Sequence, residues 1–304
     1  MLIIIGTICL YATFLVFSDV KKLDEYSINF NLSYIPIILF LVTLSWVPLY
    51  IRWKLLLRNV GVKISSKDDI LVYVSGFALS VTPGKIGELI RTQLLKEKCD
   101  VPRTKTTPLI FVEKFYDLAG AMLTSLIGIW FFKEASFIII GGLALLAVLY
   151  ALISSNKAYD KSLSWFAKFK FTAKFIDQLK ASSETLKTAT RGKIAIFAIL
   201  LSVAYWLVTS LAVYFVLLAL DVSTLSYLTA ISTYTSSLFL GAISFIPGGL
   251  GVAEGSLATL LSLQGIGVSL GIVLAVIIRL FTLWYSVGVG LIALKMVGGF
   301  SLKP

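Results

Sequence analysis

Two short stretches gather the residues that could do chemistry. They are Thr82-Pro83-Gly84-Lys85-Ile86-Gly87-Glu88 and Ile246-Pro247-Gly248-Gly249-Leu250-Gly251-Val252-Ala253-Glu254. Each sets a Pro-Gly pair in an apolar run, then a further glycine, then a carboxylate. Proline lacks a backbone donor and glycine tolerates unusual dihedrals, so a continuous helix is not expected through either. A helix restarting after such a break presents bare N–H groups and the positive end of its dipole, which suits an anion. Lys85 adds charge at the first stretch; Gly248, Gly249 and Gly251 would let the backbone approach a headgroup closely at the second. Glu88 and Glu254 fall in the first turns of the restarted helices. They could complement the dipole, hold a cationic headgroup or carry a coupling proton. Tight turns that serve packing alone are the plain alternative for both stretches.

Four further ionisable residues lie inside apolar runs. Glu113 and Asp117 stand one helical turn apart with Lys114 on another face, so they could begin a proton or amine pathway, or snorkel to a nearby surface. Arg279 falls near the middle of the last apolar run, too deep to snorkel, and needs an anion. Glu254 or Glu88 is the expected structural partner; a lipid phosphate is the functional alternative. The spacing from Pro83 to Lys114 nearly equals that from Pro247 to Arg279.

The elements around these residues follow from composition. The chain has 304 residues, 58% hydrophobic and 14% charged, with mean hydropathy +0.93. A soluble domain carries roughly 25% charged residues, and several runs here reach the ~20 apolar residues that cross a bilayer. The absence of His removes His-based acid–base chemistry and His metal ligation. No cofactor or metal is expected, and no enzymatic activity. Cys9 and Cys99 have no metal-type spacing. The net charge of +11 is carried by connecting segments, which suits an anionic membrane face rather than nucleic acid.

Residues 2–18 form a first span, followed by Asp19 where a removable signal would need small residues. Span 2 covers about 33–56, with a kink expected near Pro48 and with Trp46 and Trp53 as interface anchors. Residues 68–98 read as a re-entrant hairpin broken at Pro83; one kinked helix over 70–95 is the alternative. Span 3 is expected from Pro108 to about 132 and span 4 over about 136–154. Residues 156–193 combine many lysines with apolar residues at helical spacing, as in a basic amphipathic helix on an anionic leaflet or a solvated loop with anchors. Span 5 covers about 194–219, a second broken hairpin about 226–264, and span 6 about 268–296.

Segments 52–67, 91–105 and 156–193 are basic, whereas 19–32, 133–135 and 220–267 are poor in Lys and Arg. All basic segments fall on one face if both termini are cytoplasmic. The expectation is an all-α polytopic membrane protein: six spanning helices plus two re-entrant broken hairpins in an inverted-topology repeat. It forms a single domain over 1–304, with repeat A about 1–134 and repeat B about 135–304.

Phe77-Ala78-Leu79-Ser80 through Glu88-Leu89-Ile90-Arg91, Phe111-Val112-Glu113-Lys114 with Asp117, Pro247-Gly248-Gly249-Leu250-Gly251 with Glu254, and Arg279 resemble the flippase-like transmembrane family. That family is typified by the membrane region of lysylphosphatidylglycerol synthases. Lys114 stands where the family usually has Arg, a point charge in place of a bidentate fork. The resemblance implies a stand-alone member without the synthase domain, in a prokaryotic-type cell membrane. It would move a phospholipid or lipid-linked polyprenyl substrate, with Pro83, Gly84, Lys85, Gly87, Pro247, Gly248, Gly249, Gly251 and Arg279 at the headgroup. Glu88, Glu113, Asp117 and Glu254 would be coupling or headgroup carboxylates. Membrane lipids are the expected partners, with a lipid-modifying enzyme or glycosyltransferase as a further one. An intramembrane enzyme on lipid-linked sugars, or a non-transporting partner of a glycosyltransferase, remains the alternative.

Overall fold

A computed structural model describes residues 30–82, 87–128, 136–154 and 188–299. The expected first span (2–18), the Pro83-Gly84-Lys85 turn and most of the basic segment 156–193 lie outside the described residues.

Helix α1 (Ile35–Asn59) is entered through a 3-10 turn, Leu32–Tyr34, capped by the Asn31 side chain. It runs unbroken through Pro48, where the sequence predicts a kink. Its exposed face is Phe40, Leu44, Val47 and Ile51, spaced as one helical stripe, while Ser45 and Arg52 are buried. Apolar outside and polar inside is the pattern that hydrocarbon selects and water does not. Helix α6 repeats it, with Ile196, Phe197 and Leu200 outward and Ser202, Thr209 and Ser210 buried. Leu32–Asn59, Gly192–Ala219 and Val268–Met296 are each long and apolar enough to cross a membrane.

Helix α2 (Ser66–Ser75) runs into a 3-10 turn, Gly76–Leu79, and α3 (Ile90–Cys99) returns beside it. A Cβ on Gly76 would lie 2.8 Å from Arg91 Cδ, and one on Gly87 would lie 2.5 Å from Leu79 Cβ. These close pairs run in opposite directions along the chain. Helices α2 and α3 are therefore antiparallel. Helix α4 (Arg103–Gly128) begins five residues before the expected start at Pro108, which sits inside it. A proline in the second turn forfeits one hydrogen bond and leaves the helix intact when the turns before it are otherwise bonded. Helix α5 covers Ser136–Ser154 and α6 covers Gly192–Ala219.

The second hairpin pairs α7 (Tyr227–Ile243), capped by Ser226, with α8 (Val252–Ser262) through the 3-10 turn Pro247–Gly249. Gly248, Gly249 and Gly251 all have positive φ, which is why this corner is built of glycine. Helix α9 (Val268–Arg279) continues through a π turn, Leu280–Trp284, into α10 (Tyr285–Met296).

The chain ends of these elements sort to two poles. Helices α1 and α6 pack antiparallel: Asn31 N–H donates to Ala219 O (2.8 Å), and Asn59 Nδ2 donates to Thr188 O at the other end (2.9 Å). Leu57, Val62, Leu95, Val101, Ala189, Leu294 and Val297 share one apolar cluster, so those ends lie together. Cations outside the core collect there, among them Arg58, Lys63, Lys96, Lys98, Arg103 and Arg191. Leu220, Val222, Leu225 and Ile266 cluster at the opposite pole, where the described residues carry no Lys or Arg. The first hairpin rises from the basic pole and the second from the other. The first hairpin meets the turn of the second at Val81: a Cβ on Gly248 would lie 3.2 Å from Val81 Cγ1, and Val81 packs with Leu250, Leu283 and Val287.

Candidate functional site

Two ionic clusters lie in the core, one behind each tip. In the first, α3 presents Glu88 just before its start and Arg91 one turn on, facing α4. Arg91 Nη2 donates to Glu88 Oε2 (3.0 Å) and Glu113 Oε2 (2.5 Å). Its guanidinium lies over the rings of Trp53 (4.5 Å) and Tyr73 (5.0 Å), a weakly hydrated planar cation between two aromatic faces. Arg52 of α1 donates to Asp117 Oδ1 (2.7 Å) and Ser202 Oγ (2.5 Å), with Glu113 Oε1 at 3.8 Å. Lys114 Nζ closes the ring on Glu88 Oε2 (2.7 Å) and Asp117 Oδ2 (3.5 Å). Three cations face three carboxylates. Lys114 and Asp117, whose side chains are 24% and 16% exposed, form the opening to this set, and the other four groups are buried.

The second cluster is smaller. Arg279 Nε donates to Glu254 Oε1 (2.8 Å), and Arg279 Nη2 donates to the carbonyl of Gly248. Glu254 Oε2 accepts the N–H of Gly251 (2.8 Å). The bare amide and cation expected at this tip are thus both engaged by the chain's own carboxylate. Glu254 sits as a resident anion in a site shaped for one.

These placements revise several expectations. Lys114 does not point away from Glu113 and Asp117; it bridges Asp117 and Glu88. Glu113 is 1% exposed, so it does not snorkel. Trp53 is fully buried, with Nε1 donating to Asp69 Oδ1 (3.1 Å), and is no interface anchor. Arg52 and Arg91, grouped by sequence with the basic connecting segments, are core residues. Their signals are present in the sequence: apolar residues continue for more than a turn beyond Arg52, and Arg91 follows Glu88 by three. Gly87 N–H donates to Thr82 Oγ1 (2.6 Å), tying the two sides of the first tip.

A bundle with apolar residues outward and compensated charges at its centre is a helical integral membrane protein. Comparison with known proteins makes this specific. The family model described as the lysylphosphatidylglycerol synthase TM region matches residues 2–290, and the chain belongs to that family. It is similar to a UPF0104 membrane protein of Methanothermobacter thermautotrophicus, 26% identical over 310 residues (91% of this chain, 86% of that one). It is also similar to UPF0104 membrane proteins of Methanocaldococcus jannaschii (25% over 254 residues; 77% and 75%) and Pyrococcus horikoshii (22% over 312 residues; 93% and 92%).

Proposed function

We propose that this protein carries a phosphate-bearing lipid, a phospholipid or a polyprenyl-linked substrate, across the membrane. The headgroup binds where the two hairpin tips meet and the chains stay in the bilayer. The observation that carries this reading is the contact of Val81, two residues before Pro83, with the Pro247–Gly249 turn, each side backed by a glutamate paired with a cation from the following helix. Family membership supports a role with membrane lipids.

The architecture proposed with it is six spans and two re-entrant hairpins in an inverted-topology repeat. Several correspondences support the repeat. Helix α4 starts at 103 and α9 at 268; the left-handed residues before them are Asp100 and Gly265; the cations reaching back to Glu88 and Glu254 are Lys114 and Arg279. Each pair of positions is offset by 165. The basic pole is assigned to the cytoplasm, with both termini.

In this scheme a headgroup phosphate competes with a resident carboxylate. At the second tip it takes the Arg279 guanidinium and the Gly251 amide from Glu254. At the first it takes Lys114 from Glu88, which keeps Arg91. The second exchange parts Glu254 of α8 from Arg279 of α9; the first loosens α3 from α4, which Arg91 and Glu113 still join, and the two tips open alternately.

Val81→Cys/Gly248→Cys, in a background with Cys9 and Cys99 replaced by Ser, tests the scheme. A Cβ at 248 would lie 3.5 Å from the Val81 Cα, within the reach of a disulfide whose Cβ–Cβ distance is ~3.5–4.5 Å. Proteoliposomes with fluorescent phospholipid or polyprenyl phosphate should translocate the headgroup when reduced and stop when oxidised. Equal translocation in both states, or none by the unmodified protein with either lipid, rejects the proposal.

A further inference from the structure

A cleft at the basic pole is used by neither tip. Helix α1 ends in a Schellman turn: Val62 N–H donates to Leu57 O (2.9 Å) and Gly61 N–H to Arg58 O (3.1 Å), with Gly61 at φ +76°. This turn folds the chain back over the last helical turns. Lys54 and Arg58, four residues apart, share one face of α1, and the returning strand sets Lys63 across from them. The result is a cleft of about 410 Å³ with three cations at its walls and Leu57 and Val62 behind. Asp69 also lines it, with one oxygen accepting from Tyr50 OH (3.1 Å) and the other from Trp53 Nε1 (3.1 Å).

The molecule supplies its own control. Helix α6 ends in the same turn, Val222 N–H to Leu217 O (2.9 Å) and Asp221 N–H to Leu218 O (3.0 Å), with Asp221 left-handed. The positions matching Lys54, Arg58 and Lys63 are there Tyr214, Leu218 and Ser223. The backbone motif therefore does not need the charges. Nor does the helix dipole, which favours cations at both C-termini, explain why only one has them. Lys63 lies beyond the helix altogether.

We propose that this cleft binds the phosphate of an anionic phospholipid in the leaflet at the basic pole. Its three cations hold the phosphate oxygens, and the apolar wall takes the glycerol end. It is a docking site separate from the tips and does not depend on the transport reading. A free inorganic anion shares the phosphate chemistry but makes no use of the wall.

The test uses the full chain in nanodiscs of phosphatidylcholine with and without phosphatidylglycerol, read by native mass spectrometry of retained lipid. Wild-type protein should keep a phosphatidylglycerol that the Lys54→Gln/Arg58→Gln/Lys63→Gln variant loses. Each cation near an anionic surface is worth about a fivefold change in binding, so the triple variant should bind roughly a hundredfold more weakly. Lys54→Arg/Lys63→Arg should retain the lipid, which guards against a folding defect, as does a symmetric gel-filtration peak. Equal retention by wild type and the triple variant overturns the proposal. So does inorganic phosphate that displaces the lipid at equal concentration, because the ligand is then a free anion.

Discussion

Replacing Arg279 with Met tests the second cluster most directly. Glu254 is 1% exposed and accepts two hydrogen bonds, one from Arg279 Nε and one from Gly251 N–H, both at 2.8 Å. Removing the guanidinium takes the Arg279 charge away from a buried carboxylate, and stripping one partner from a buried pair costs about 3–5 kcal/mol. That is a large share of a typical folding stability of ~5–15 kcal/mol. Glu254→Gln should cost less, because the amide oxygen of the replacement side chain still accepts from Gly251 and Arg279 keeps the Gly248 carbonyl. Arg279→Met/Glu254→Gln removes both charges together and should recover at least about 2 kcal/mol of the Arg279→Met loss. Equilibrium unfolding in mixed micelles on all four proteins gives the coupling energy. Losses that simply add, or an Arg279→Met cost below about 1 kcal/mol, would refute the claim that these groups neutralise one another in a dry core. The double variant should fold and yet fail to translocate lipid, since it has lost the cation assigned to the phosphate.

Other perturbations probe other parts of the frame. Gly290→Ala should destabilise by about 1–3 kcal/mol, because its Cβ would lie 2.7 Å from the Phe77 carbonyl carbon. Gly288→Ala, facing open space, should stay within about 0.5 kcal/mol of wild type under the same denaturation. Lys114→Met should be milder than Arg91→Met, at roughly 1–2 against 3–5 kcal/mol, because Glu88 keeps Arg91 at 3.0 Å while Arg91 also serves Glu113. Cys99 ends α3 at the basic pole, and burial, then Asp68 and Asp69, push its thiol pKa up. A raised pKa means less thiolate at neutral pH, so in a Cys9→Ser background its maleimide rate should keep rising with pH past the midpoint of an ordinary cysteine. A rate that levels at or below that midpoint contradicts the half-buried placement beside Asp68 and Asp69.

Much of this is legible in residue types. Pro247 and the glycines after it announce a broken helix because proline lacks the backbone donor and glycine takes positive φ at little cost. Arg279 announces a buried partner because its apolar run extends more than ten residues either way. The bounds of α5, α6 and the second hairpin follow apolar run lengths closely. What one dimension hides is the assignment of charges that sit near the ends of runs. Arg52 and Arg91 look like interfacial cations there; Glu88 stands three residues before Arg91, but only the packing of α1, α3 and α4 against one another reveals the partners 22 and 65 positions away, Glu113 and Asp117. Lys114 misleads for a related reason. A helical wheel sets it off the Glu113–Asp117 face, but a lysine's long stem bends back to a carboxylate three residues on and another on a neighbouring helix. The early start of α4 is concealed because Pro108 has the look of a first-turn proline.

The arithmetic of the core ions bears on how the membrane potential acts. Arg52, Arg91 and Lys114 balance Glu88, Glu113 and Asp117, and Arg279 balances Glu254. Among the described residues these two clusters carry no net charge, so in the proposed scheme they would add nothing to the electrical work of moving the unloaded tips. Cargo bearing one phosphate charge would change that, adding work of about 2.3 kcal/mol per 100 mV for a full crossing. Voltage would then act on the laden stroke through its cargo and not through these two clusters.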